Sequence, residues 1–198
     1  MTDFVSTLTS IFLLLGTASF MVVATLVCHL FASKFAAAQK GLTVKLTIGF
    51  FLGVFAIYGT LMGTKLADGT IVSVRELATM IAGVVGGPVA GALSGVIGGI
   101  HRYTVGGVTA LPCTISTILI GLISGVASMK LKGKNYLLKG AVLGLVLESG
   151  AMGLILLFVQ PFETAVTILS QIAVPMIVAN TVGLVLWLYL FNKCRVQR

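Results

Sequence analysis

Charge is what this chain has least of. Only 9% of its 198 residues are charged, and just five are acidic: Asp3, Asp68, Glu76, Glu148 and Glu163. No two of these fall at a spacing suited to general acid–base catalysis or metal coordination, and no histidine pair stands at i, i+4. No glycine loop is followed by a phosphate-binding lysine, and no strained Gly-x-Ser-x-Gly turn presents a nucleophile. The three cysteines, Cys28, Cys113 and Cys194, are scattered and show neither disulfide-framework nor metal-site spacing. The opening MTDFV carries no basic run and the first apolar stretch is too long for a cleaved signal, so it reads as a retained span. Polar–apolar alternation is missing from runs such as IFLLLGTASFMVVATLV (11–27), which excludes a transmembrane β-barrel. These absences leave no basis for catalysis within the chain, and no cofactor or metal is expected.

What is present is hydrocarbon. The composition is 58% hydrophobic, with a mean hydropathy of +1.13. Apolar blocks cover 4–31, 46–64, 107–129, 140–160 and 164–192, and a sixth, glycine-rich block covers 77–100. About 20 such residues cross a bilayer as a helix, in which every backbone polar group is paired internally. The fold class is an all-α polytopic membrane protein of five to six transmembrane helices. The net charge of +8 does not mark a nucleic-acid surface, because ten of the thirteen basic residues sit in three short patches flanking the spans. These are Lys34, Lys40 and Lys45; Lys130, Lys132, Lys134 and Lys139; and Lys193, Arg195 and Arg198. Such clusters mark the cytoplasmic side of a membrane protein.

The glycine-rich block is the unusual one. Gly87, Gly91, Gly95 and Gly99 recur every four residues, a helix-packing stripe in lipid, while Gly86-Gly87-Pro88 is a helix-breaking triplet. If 31–45 and 130–139 are both cytoplasmic, the 53 residues from 77 to 129 must cross an odd number of times, and they are too few for three spans. A broken, re-entrant segment over 76–100, turning at Gly86-Gly87-Pro88 and followed by one full span, satisfies this parity. Six ordinary spans with both termini inside are the rival and fit the charge pattern less well. A continuous helix would hold Arg75 and Arg102 about 40 Å apart, whereas a hairpin returns both to the outer side.

An arginine at membrane depth is costly and marks either a functional site or a specific partner. Two readings therefore stand for this pair. Arg75 pairs with Asp68 or Glu76, and Arg102 with Glu148 or a helix-terminal carbonyl; or the two forks converge on one small anion. Pro112 suits the first turn of a helix, which puts Cys113, Thr114, Ser116 and Thr117 near its positive end, with Cys113 and Ser116 on one face. The plain alternatives are a cysteine acting as a small hydrophobe and hydroxyls bonded to carbonyls one turn back. Glu148 is the one carboxyl at membrane depth, either partnering an arginine or held neutral by burial. His101 and Tyr103 suit an interfacial position.

The string DGTIVSVRELATMIAGVVGGPVAGALSGVIGGIHRYTVGGVTALPCTISTILIGLISG (68–125), with QIAVPMIVANTVG (171–183), resembles the LytS-type five-transmembrane receptor domain. The resemblance runs from about Lys45 to about Val185, and its ordered GGP–G–G–G–HRY–GG–TA–C–S series is specific. It implies a sensory module of bacterial inner-membrane receptors, working as a homodimer and coupled to a cytoplasmic output. That output is usually a histidine kinase, sometimes a diguanylate cyclase. In pyruvate-sensing members two arginines, a cysteine and a serine hold the ligand; by the motif these fall on Arg75, Arg102, Cys113 and Ser116. His101, Thr109, Thr117 and Glu148 are candidates for the surrounding layer on their residue types and positions alone. Where the family usually has Asn-Thr before the first arginine, this chain has Ser73-Val74, which leaves the ligand's identity open. Residues 1–192 are expected to form one transmembrane sensory domain, and 193–198 a cytoplasmic tail with no output domain, as in a piece of a longer receptor or a free-standing one. A receptor for a small carboxylate ranks ahead of an organic-anion transporter, and both ahead of a membrane scaffold that binds no anion.

Overall fold

The computed structural model describes residues 2–36, 41–66, 68–131, 133 and 135–196, with side chains for 8–27, 41–66, 68–131, 133 and 135–194. The side chains of Asp3, Cys28, Lys34, Lys40, Lys132, Lys134, Arg195 and Arg198, and the end of the expected tail, lie outside the described residues. Helices α1 (Thr2–Ala36) and α2 (Leu42–Leu61) are followed by a small antiparallel hairpin of β1 (Thr64–Lys65) and β2 (Ile71–Val72). Then come α3 (Arg75–Val105), α4 (Ala110–Ala127), a 3-10 turn (Ser128–Leu131), α5 (Tyr136–Phe158) and α6 (Phe162–Val196). Six helices among the described residues are long and apolar enough to cross a membrane. Their outer faces carry Phe12, Phe50, Val146 and Leu157, exposed as lipid-facing side chains are.

α3 is two helices, not one. Gly87 has φ 76° and ψ −169°, a conformation that L side chains rarely adopt, and it reverses the chain. The arms, 75–86 and 88–105, are about 18 and 27 Å long at 1.5 Å per residue. A Cβ on Gly91 would lie 2.9 Å from the Cα of Gly83, and one on Gly98 would lie 3.6 Å from Cγ of Arg75. In a straight helix those pairs would be about 12 and 34 Å apart, so the arms run antiparallel and both ends of α3 return to one end of the bundle. This is the broken, re-entrant segment the parity argument called for.

The helices flanking this hairpin are set by glycine. On one side Gly49 lies against Ala90, Gly53 against Ile97 and Gly59 against the backbone of Arg75. On the other, Gly95 meets Thr117 and Ile118, Gly99 meets Thr114, and Gly91 and Gly121 touch backbone to backbone. Thr114 Oγ1 also donates to the Gly99 carbonyl at 3.0 Å. The stripe of Gly91, Gly95 and Gly99 is therefore spent on α4 within the chain and is not a free face for a second copy. Gly87 differs from the rest of that stripe: a Cβ there would meet nothing within 4 Å, and its left-handed φ makes it the turn, on whose backbone Gly125 of α4 packs.

α5 and α6 form an antiparallel pair, with Gly140 against Leu188 and Gly144 against Thr181, and α1 closes on α6 where Ala18 approaches Gly183. Ile48 lies beside Gly86 and Pro88 beside Gly125, so the hairpin tip sits level with the start of α2 and the end of α4. Lys45, Lys130, Lys139 and Lys193 thus gather at the tip end, and Arg75 and Arg102 lie toward the opposite one. The β-hairpin was not anticipated, although the Asp68-Gly69 pair before a β-branched run is a hairpin signal.

A Gly91→Ala chain should unfold at a clearly lower temperature in detergent, since its new methyl collides with the Gly121 carbonyl and overpacking of this kind costs about 1–3 kcal/mol. Gly150→Ala, with nothing within 4 Å of the added carbon, should leave the midpoint unchanged or raised. Equal midpoints for the two variants would contradict the close approach of α3 and α4.

Candidate ligand-binding site

At the open end of the α3 hairpin two guanidinium groups are removed from solvent, with Arg75 and Arg102 each at 0% exposure. Arg75 begins the first arm and Arg102 ends the second, so a single chain reversal delivers both. Arg75 Nε donates to Thr117 Oγ1 at 2.8 Å, and Thr117 Oγ1 in turn donates to the Cys113 carbonyl at 2.6 Å. Arg75 Nη2 makes an ion pair with Glu76. Arg102 Nη1 donates to the Gly106 carbonyl and Nη2 to Thr109 Oγ1, the latter at 2.9 Å. Gly106 accepts that bond from a left-handed φ of 77°, and the tip of the β-hairpin lies on the same turn, where Gly69 meets Gly107.

Cys113, Ser116 and Thr117 project from the first turns of α4, all buried. Pro112 is in that first turn, where its missing N–H costs nothing. Cys113 stands within electrostatic reach of both guanidinium groups. Ser116 Oγ donates to the Cys113 carbonyl at 3.0 Å and has lone pairs to spare. His101 is half-buried and also within electrostatic reach of Arg75. Of the sequence-derived site residues, Arg75, Arg102, Cys113, Ser116, Thr109, Thr117 and His101 thus converge at one end of α3 and α4. Glu148 belongs to the next layer: it is fully buried on α5, close to Glu76, Arg75 and Asn180.

Each arginine has bonds left over. Nη1 of Arg75 and Nε of Arg102 are buried and find no acceptor among the described residues. A buried donor without an acceptor costs about 1–3 kcal/mol, and more when it is charged. Beside the Glu76 carboxylate that pairs with Arg75, the described side chains here are two guanidinium groups, hydroxyls and one thiol, a net cationic set that suits a small oxyanion. Among the described residues no group of three or more His, Cys, Asp or Glu side chains gathers to hold a metal ion.

Asn180 on α6 was missed by sequence reasoning. Its Oδ1 accepts the Leu77 N–H at 3.2 Å, and its Nδ2 donates to the Ser73 carbonyl at 3.4 Å. It ties α6 to the residues on either side of Arg75. A lone asparagine in an apolar span is the signal that could have found it.

A polytopic helical membrane protein with a broken central helix and a pair of buried arginines at one end is the class these features define. The sequence model of the family described as "5TMR of 5TMR-LYT" matches residues 28–194. The chain belongs to that family of five-transmembrane receptor domains. It is 37% identical over 142 residues to the sensor histidine kinase BtsS of Escherichia coli (strain K12), a match covering 68% of this chain and 25% of that protein. The sensor histidine kinase YpdA of the same strain is 35% identical, over 64% of this chain and 23% of its own length. The sensor protein LytS of Bacillus anthracis is 35% identical, over 73% and 27%. The match spans about a quarter of the length of these curated relatives. No solved structure matches the chain.

Replacing Asn180 with leucine should lower the thermal midpoint by the equivalent of about 1–3 kcal/mol, because the Ser73 carbonyl loses the Asn180 donor and the Leu77 N–H is left with the Val74 carbonyl alone. A midpoint within error of the parent's would mean that those two groups do not depend on α6.

Proposed function

We propose that this chain is the membrane-embedded sensory module of a bacterial receptor and binds a small carboxylate of the pyruvate type between Arg75 and Arg102. The observation that carries the reading is the pair of buried guanidinium groups, each with a donor that meets no acceptor among the described residues. The carboxylate takes Nη1 of Arg75 and Nε of Arg102 as charge-assisted donors. Ser116, by rotating its hydroxyl away from the Cys113 carbonyl, donates to a second ligand oxygen. Cys113 contributes a small polarisable wall rather than a nucleophile, and Thr109 and Thr117 hold the two guanidinium planes. Arginine suits this task because its planar fork matches a carboxylate and retains its charge at depth.

Signalling follows from where the site is anchored. Arg75 is flanked by Ser73 and Leu77, the residues bonded to Asn180 of α6. α6 is about 50 Å long at 1.5 Å per residue, well beyond a bilayer core of about 30 Å. A ligand that draws Arg75 toward Arg102 shifts the first arm of α3 and, through Asn180, α6. The lysine-rich end is cytoplasmic by the positive-inside rule, in a bacterial inner membrane, and α6 delivers the shift there to a histidine-kinase output, with two copies working as a homodimer. Only a difference in ligand affinity between the two packings can drive that shift.

Calorimetry of the purified chain with pyruvate and related monocarboxylates should give saturable binding. Arg75→Ala and Arg102→Ala should each weaken it at least tenfold, the equivalent of about 1.4 kcal/mol, and Ser116→Ala less. An unaffected affinity in either arginine variant would sink the shared-pocket reading. Uptake of labelled carboxylate into proteoliposomes should be absent, and steady flux would reassign the chain as a transporter.

A further inference from the structure

At the opposite end of the bundle, a groove of about 820 Å³ lies between the end of α4 and the start of α5. Its walls are apolar, supplied chiefly by Met129, Leu138, Val142 and Val146, and Lys130 and Lys139 line it as well. Leu138, Val142 and Val146 recur at i, i+4, i+8, so they form one stripe down α5, and all three are exposed. From Lys139 to Val146 the stripe descends about 10 Å along the helix axis. The groove is therefore amphiphilic along its length: cationic at its rim and hydrocarbon below.

The rim has a second source of positive potential. α5 begins at Tyr136 without a side-chain cap on its first N–H groups, and its first turn carries Leu138 and Lys139. An uncapped helix start is a favourable place for a phosphate. Two lysines, a helix N-terminus and a hydrocarbon slot beneath them match an anionic phospholipid, phosphate above and acyl chain below. Basic pockets between transmembrane helices on the cytoplasmic side are where such headgroups bind.

We propose that this groove seats one anionic phospholipid, its phosphate held by Lys130 and Lys139 and an acyl chain lying along Leu138, Val142 and Val146. The site is distinct from the arginine pocket and does not depend on what that pocket binds. A lipid seated there bridges α4, which carries Cys113 and Ser116, to α5, which carries Glu148. Membrane composition therefore enters the stability of the α4–α5 contact.

Thermal unfolding of the purified full chain in neutral detergent tests this, with phosphatidylglycerol, phosphatidylcholine of the same acyl chains, or inorganic phosphate added. Phosphatidylglycerol should raise the midpoint saturably by several degrees, and the other two should not. The shift should vanish in a Lys130→Gln/Lys139→Gln chain, and also in Val146→Trp, which fills the slot and keeps both charges. Equal shifts with phosphatidylcholine or with phosphate, or a shift retained in either variant, would overturn the proposal. Should the double lysine variant fail to fold, Val146→Trp decides alone.

Discussion

Within a bilayer, a chain may reverse direction only where protein covers the backbone it exposes. The turn at Gly87 is that reversal, and the arrangement around it follows. α2 covers the turn through Ile48 and α4 through Gly125, which lies on Pro88. Those two helices can come so close only because glycine faces them: a Cβ on Gly83 would strike Ser124, and one on Gly91 or Gly121 would strike the opposing backbone. In lipid, where helices gain little from leaving an apolar solvent, such backbone contact and its dispersion energy are the main source of association. The glycine contacts thus do the work that a large hydrophobic core does in water.

The second consequence is electrostatic. Folding α3 back on itself brings two like charges to one end of the bundle, away from solvent, which is unfavourable unless their donors are occupied. The local structure engages two of the three nitrogens of each guanidinium, with a carboxylate, two threonine hydroxyls and a turn carbonyl, and leaves the third without an acceptor among the described residues. Two guanidinium groups satisfied in full would be an inert structural knot; two exposed ones would be hydrated. This arrangement lies between the two, and that incompleteness is what the proposed oxyanion would complete.

The site is also mechanically placed. Its residues come from three short segments: the start of the first arm of α3, the end of the second arm, and the first turns of α4. Asn180 adds a tie to α6, and Glu148 stands on α5 beside the Arg75–Glu76 pair. Each helix from α3 to α6 therefore has a polar group at or next to the pocket. In a low-dielectric interior, rearranging any of these groups is felt by the others.

Helical membrane character, span positions and the hairpin itself were legible in the sequence. The first two follow from one-dimensional hydropathy, and the third from parity combined with a Gly-Gly-Pro break. Arg75, Arg102, Cys113 and Ser116 were legible as candidates because polar residues in an apolar chain stand out. What only the tertiary structure decided is which neighbour each of them uses. Arg75 takes Glu76 and Thr117, Arg102 takes Gly106 and Thr109, and Glu148 takes neither arginine in a hydrogen bond. Gly87 left the packing stripe to become the turn, and Asn180 joined the site from 103 residues away along the chain. The division has a physical reason. Transfer from water to lipid depends on local composition, which a sequence states outright, whereas hydrogen-bond partnership depends on ångström-scale approach between segments, which exists only once the helices have packed.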